Sequence, residues 1–296
     1  MSQDYARVPN YRQGALARRP GYTSGRVSED GTSVFYESII PPNARGVVII
    51  SPGLKPVASS AMPTLMERLV DRGIGSLWLL YEADTPFYVR ERKCRIAVER
   101  AALPLHLPLA GFGVSSGASV LLHLAARTDF FRGVGLKSIV GNYLASYRTV
   151  QGLSERARSE VFPFSINDYG SSRPDFFGGI APDFKADAQA LATNNMPLLA
   201  IIGTRDSLIA PNDVLDLLLG TAARREESIE GGARVIDHYL GNTRIRVVEE
   251  ANHGFDNPTH FEVMTSSFVQ FFTDLFRNPD QVPHESGTLS SLQSGR

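Results

Sequence analysis

Three short stretches, far apart in the chain, carry side chains able to do nucleophilic chemistry on a carbonyl. The first is Gly113-Val114-Ser115-Ser116-Gly117, a G-x-S-x-G pattern between the apolar run LPLA and the apolar segment ASVLLHLAA. In a strand-to-helix turn this pattern is a nucleophile elbow, too tight for side chains on the flanking glycines, and it lifts the serine hydroxyl clear of the sheet. The second is Gly203-Thr204-Arg205-Asp206, and the third is Asn252-His253-Gly254-Phe255. A serine hydroxyl is a poor nucleophile until a base takes its proton, and the base needs an acid to orient it. Ser115, His253 and Asp206 are read in those three roles.

The attacked carbonyl oxygen gains charge and needs N–H donors. One is expected from Ser116, at the start of the helix, and the other from the loop after an earlier strand. In Ser51-Pro52-Gly53-Leu54 the candidate donor is the N–H of Leu54, because Pro52 has none and Gly53 permits close approach. The pattern around Ser115 recurs by chance in a chain with 26 glycines; the strand before it and the helix after it give it meaning. Gly111 and Gly113 also begin a dinucleotide fingerprint, but the third position is Ser116, and Asp129 falls before the following strand rather than at its end.

These residues need elements to carry them. Short apolar runs at 33–40, 46–53, 74–82, 106–115, 136–143, 196–207 and 243–255 read as strands. Helix-period segments at 63–73, 89–103, 116–128, 185–195, 211–223 and 259–276 alternate with them, the last opened by Asn257-Pro258. Buried strands alternating with helices give an α/β fold, a mostly parallel sheet with helices on both faces. Such sheets work at the C-terminal ends of their strands. Ser115, Asp206 and His253 all leave that edge, and in the chain order Ser, Asp, His that an elbow of this kind uses.

Residues 1–25 read as an N-terminal arm, 26–277 as one domain and 278–296 as a polar tail. The aromatic-rich interval 144–184 is too long for a simple connection and reads as a cap. Residues 224–241, charged and glycine-containing, read as a surface excursion. A net charge of −1 gives no bulk attraction to nucleic acid, and one cysteine, Cys94, excludes a disulfide framework. No apolar run of about 18 residues suggests a membrane span, and no signal segment opens the chain, which is read as cytoplasmic.

Other candidates have plainer readings. His253 could instead be a capping or core histidine, and Asp206 a turn residue preceding the helix at 211. Asp237-His238 is a rival pair, but neighbours on a strand face opposite ways. His106 and His123 read as structural residues in a strand and a helix. The basic run Arg90-Glu91-Arg92-Lys93-Cys94-Arg95 reads as a solvated helix face, with Arg90 or Arg92 binding a carboxylate at the site's rim as the alternative. Lys55, near the mouth, reads as exposed and neutral to function, with steering of an anionic substrate as the alternative, and Phe255 as pocket wall or packing.

With these residues in view, the stretch from about 26 to 277 resembles the α/β-hydrolase superfamily. The carriers are VVIISPG, GVSSG, GTRD with Pro211 soon after, and NHGF; the last two are most similar to dienelactone hydrolases and related small esterases. The resemblance implies a sheet of about eight strands, a Ser115–His253–Asp206 triad and a cap inserted after strand 6. Two departures stand out. Ser115 replaces the cysteine nucleophile of dienelactone hydrolases, and Pro52-Gly53 replaces a common His-Gly at the oxyanion loop. The expected activity is hydrolysis of a small-molecule ester or thioester, with no metal or cofactor. The alternatives are an acyltransferase or cyclising thioesterase on the same triad, or a ligand-binding member of the fold.

Overall fold

The computed structural model describes residues 15–53, 61–80, 85–140, 182–219 and 223–277. Leu54, Lys55, most of the expected cap (144–181) and the whole expected tail lie outside them. Ten strands form one sheet: β1 (Tyr22–Glu29), β2 (Thr32–Ile39), β3 (Val47–Ser51), β4 (Gly75–Leu80), β5 (Leu109–Val114), β6 (Val134–Lys137), β7 (Leu198–Arg205), β8 (Arg224–Glu230), β9 (Ala233–Leu240) and β10 (Thr243–Asn252). Their spatial order is β1-β2-β4-β3-β5-β6-β7-β10-β9-β8. From β4 through β10 the neighbours run parallel, and antiparallel strands close each side.

Alternation along the strands builds two cores. Val47, Ile49, Leu109, Leu136, Ala200 and Ile245 point to one face. There they meet α2 (Phe87–Ala97), α3 (Ser116–Arg127), α4 (Phe184–Thr193) and α5 (Pro211–Leu218). Val48, Ile50, Trp78, Phe112, Ile201 and Val248 point to the other, against α1 (Ala61–Val70) and α6 (Pro258–Arg277). Helix α1 offers Met62, Leu65, Met66 and Leu69, the spacing of a single apolar stripe. In α6, Phe268 and Phe272 lie one turn apart over Phe112, the Phe112–Phe268 centroids 4.6 Å apart. Asn257 starts α6 as expected: its Oδ1 accepts from the Thr259 N–H at 2.9 Å. Helix α3 is buried from Ser116 to Ala125, being sandwiched between the sheet and its neighbouring helices.

The sheet has ten strands where about eight were expected, for two reasons. Residues 224–241, expected as a surface excursion, contain the whole hairpin β8–β9, turned at Gly231-Gly232, both at positive φ. Residues 22–25, expected in the arm, pair with β2 as part of β1, turned at Asp30-Gly31. The helix expected over 89–103 gives way after Ala97 to a π turn (Val98–Ala102) and a 3-10 turn (Leu103–Leu105). Pro104 cannot donate to a preceding carbonyl, and the helix loosens before it. His106 then caps that turn at φ 56° and is exposed, not inside a strand.

Candidate active site

Ser115 sits between β5 and α3 at φ 53°, ψ −122°. A non-glycine residue at such angles stores on the order of 1–3 kcal/mol of backbone strain. The flanking glycines explain how the turn closes. A Cβ on Gly113 would lie 2.3 Å from the Ala118 Cα, and one on Gly117 would lie 2.2 Å from the Ser51 carbonyl oxygen. Neither position has room for a side chain, so α3 packs directly on the strand and on the loop after β3. The Ser115 N–H donates to the Lys137 carbonyl at 2.8 Å, tying the elbow to the end of β6. Gly53 faces Ser115: a Cβ there would be 3.2 Å from the Ser115 Cβ.

Asp206 follows β7 and His253 follows β10, adjacent parallel strands whose pairing ends at Asn252 and Arg205. The His253 Nδ1 lies 2.8 Å from Asp206 Oδ2 and 3.0 Å from Oδ1. A carboxylate only accepts, so Nδ1 carries the proton. Oδ1 also accepts from the Leu208 and Ile209 N–H groups, each at 3.0 Å. The Asp206 side chain has no exposed surface, whereas the imidazole keeps 24%. Burial alone would raise the carboxyl pKa; the His253 hydrogen bond and charge and the two backbone donors outweigh it and hold Asp206 below its usual value.

Two buried cations flank the elbow. Arg90, in the first turn of α2, is 0% exposed. Its Nε donates to the Thr85 carbonyl at 2.8 Å, and its Nη1 donates to the Gly53 carbonyl at 3.1 Å and the Ser116 hydroxyl at 3.2 Å. On the other side, Lys137 Nζ donates to the His253 carbonyl at 2.7 Å and lies 5.2 Å from the Phe255 ring centroid. Lys137 thus bonds Ser115 through its carbonyl and His253 through its ammonium. Among the described residues, no group of three or more His, Cys, Asp or Glu side chains is placed to hold a metal ion.

This architecture matches solved structures over most of its length. The Pyrococcus furiosus esterase is 16% identical, with a TM-score of 0.61 over 86% of this chain and 91% of that one. The dienelactone hydrolase from Anabaena variabilis is 15% identical, with a TM-score of 0.55 over 86% of this chain and 97% of that one. The monoacylglycerol lipase from Paleococcus ferrophilus is 16% identical, with a TM-score of 0.54 over 82% of this chain and 99% of that one. The chain has the α/β-hydrolase fold. No protein-family model matches the sequence, and no curated protein matches it. No helix among the described residues is long and apolar enough to cross a membrane.

Within the α/β-hydrolase frame, the structure brings Asp206 and His253 into hydrogen-bond contact and sets Ser115 and Ser116 at the elbow. Leu54 lies outside the described residues, although Gly53 before it abuts Ser115. In the rival pair, Asp237 is taken up by arginines instead: it accepts from Arg244 at 2.7 and 3.0 Å and from Arg246 at 3.0 Å. His123 is structural, as expected, its Nδ1 2.7 Å from Asp187 Oδ2 where α4 meets α3. Phe255 is packed into the core. The basic run is corrected at one position: Arg92 and Arg95 are half exposed and paired with Asp30 and Glu91, but Arg90 is inside. Lys137 was not singled out at all.

The Lys137 environment has a measurable signature. Burial lowers its pKa from 10.5 to about 8, against the Asp206 and Asp256 carboxylates, which raise it. The folded chain therefore gives up this proton at lower pH than the unfolded chain does. The cost of the buried charge is present in full below about pH 8 and fades as pH rises toward the unfolded value. Lys137→Met lacks this dependence. From about pH 7.5 to about pH 10.5 the wild type is expected to gain roughly 3 kcal/mol of stability relative to the variant. Denaturant unfolding at both pH values measures it, and a constant difference would refute the buried-ammonium assignment.

Proposed function

We propose that the protein is a serine hydrolase that cleaves a carboxylic ester or thioester of a small molecule through an acyl-enzyme. The observation that carries this reading is the buried Asp206 bonded to His253 Nδ1, at the sheet edge where the strained Ser115 also emerges. Three of the most similar folds are named an esterase, a dienelactone hydrolase and a lipase, which supports an ester as the substrate class.

In this mechanism the Ser115 Oγ attacks the carbonyl carbon while His253 Nε2 takes its proton. The tetrahedral oxyanion is met by the N–H of Ser116, which as a helix-start donor has no acceptor within its helix, and by that of Leu54. Each such donor is worth on the order of 3 kcal/mol in the transition state. The C–O or C–S bond then breaks, and His253 returns the proton to the leaving alcohol or thiol. Water, deprotonated by His253, attacks the acyl-enzyme and frees the acid and Ser115. Asp206 keeps the imidazole in the tautomer that bares Nε2 and stabilises its cationic form.

The test is covalent labelling. A fluorophosphonate probe is expected to modify the wild type at Ser115, mapped by peptide mass spectrometry, and to leave Ser115→Ala unmodified. An unlabelled wild type, or a label that persists in Ser115→Ala, removes the nucleophile from this reading.

A further inference from the structure

We infer that Arg90 is a positioning residue for the oxyanion hole, acting through the Gly53 carbonyl and Ser116; this rests on the hydrolase reading above. A guanidinium is always charged and costly to bury unless its donors are met. Its neighbours in the same run, Arg92 and Arg95, point to solvent. Arg90 does not, and two of the acceptors it reaches lie beside Ser115. Thr85 precedes its own helix; Gly53 and Ser116 belong to the two segments proposed to supply the oxyanion donors. One nitrogen, Nη1, joins those two segments across the end of the sheet.

The connection has a mechanical consequence. A planar trans peptide directs the N–H that follows a carbonyl opposite to that carbonyl. Restraining the Gly53 oxygen is therefore expected to restrain the N–H proposed as the second donor. The second contact ties the guanidinium to Ser116, the residue proposed to supply the other donor. Oriented donors in a water-poor site, fixed before the reaction, are the largest single source of stabilisation in acyl transfer. A group acting on the hole alone affects the transition state more than ground-state binding, so its loss appears in kcat.

The experiment compares wild type, Arg90→Lys and Arg90→Met on p-nitrophenyl acetate and with a fluorophosphonate, whose phosphoryl oxygen enters the same hole. Folding is monitored by circular dichroism. KM is expected to stay within about threefold, while kcat falls about tenfold in Arg90→Lys, which cannot span both acceptors, and about a hundredfold in Arg90→Met. Fluorophosphonate labelling should slow by matching factors. A folded variant with kcat and labelling rate near wild type overturns the inference, as does a loss confined to KM. If Arg90→Met does not fold, the tenfold loss in Arg90→Lys decides. A wild type that is labelled and active alongside unimpaired variants sinks this inference alone. A wild type that neither turns over nor labels sinks the hydrolase reading and this inference with it.

Discussion

Ser115→Ala and His253→Ala are each expected to reduce kcat on p-nitrophenyl acetate by about 10⁵–10⁶-fold, and the double variant to fall no further. The reason is that the two side chains do one job. Without the imidazole, the hydroxyl keeps its proton and is barely nucleophilic; without the hydroxyl, the imidazole has no proton to take. Residual turnover should come from the oxyanion donors and from binding. Neither change should unfold the protein. Alanine has the same Cβ as serine, so the elbow at φ 53° is no more strained in Ser115→Ala. His253 keeps part of its imidazole in solvent and fills no large cavity. Steady-state kinetics of the three variants, with thermal midpoints as controls, make the measurement. A double variant far below both singles would mean independent contributions and dissolve the pair.

The legible parts of this molecule are those where a residue's type is dictated by local geometry. The elbow could be read because nothing larger than hydrogen fits at Gly113 or Gly117. Asp206 could be read because β7 begins as the apolar run LLAII, as a strand covered on both faces must, and His253 because the apolar residues Ile245, Val247 and Val248 still mark β10 among its charged ones. The hairpin β8–β9 was missed for the converse reason. β8 is an edge strand with six of seven residues exposed, so its sequence, RREESIE, carries no burial period. The remaining signals were Gly231-Gly232 and Gly241-Asn242, both hairpin dipeptides. Arg90 was obscured by its charged neighbours, yet Phe87, Cys94 and Ala97 mark the buried stripe of α2, and Arg90 lies within it, one turn from Phe87. Lys137 had a signal too: a lysine at the C-terminal end of a central strand, in register with Val114 just before Ser115. Both cations show that charge on a buried face is easy to mistake for charge on a surface until the partners are in view.

Asp206→Asn should cost about 10⁴-fold in kcat with little change in KM, and the hydrogen bonds explain why the loss is so large. Asp206 Oδ1 already accepts from two backbone N–H groups, Leu208 and Ile209. An asparagine must place its one oxygen there, since its NH₂ would clash with both donors. Its NH₂ then takes the place of Oδ2, 2.8 Å from His253 Nδ1. A donor facing Nδ1 favours the tautomer with the proton on Nε2, and a protonated Nε2 cannot act as a base toward Ser115. Stability should change in a separate, pH-dependent way. The folded chain holds the Asp206 carboxyl below its usual pKa, so the carboxylate stabilises the fold above that range. The benefit is lost as pH falls through the folded value. The stability gap between wild type and Asp206→Asn is therefore expected to narrow as pH drops from about 5 to about 2. Denaturant midpoints across that range read the gap, and pH–rate profiles of both proteins read the catalytic loss. A variant within tenfold of wild-type kcat would place the orienting acid elsewhere. A gap that widens with acid would mean that the carboxyl is held protonated, not ionised, beside His253.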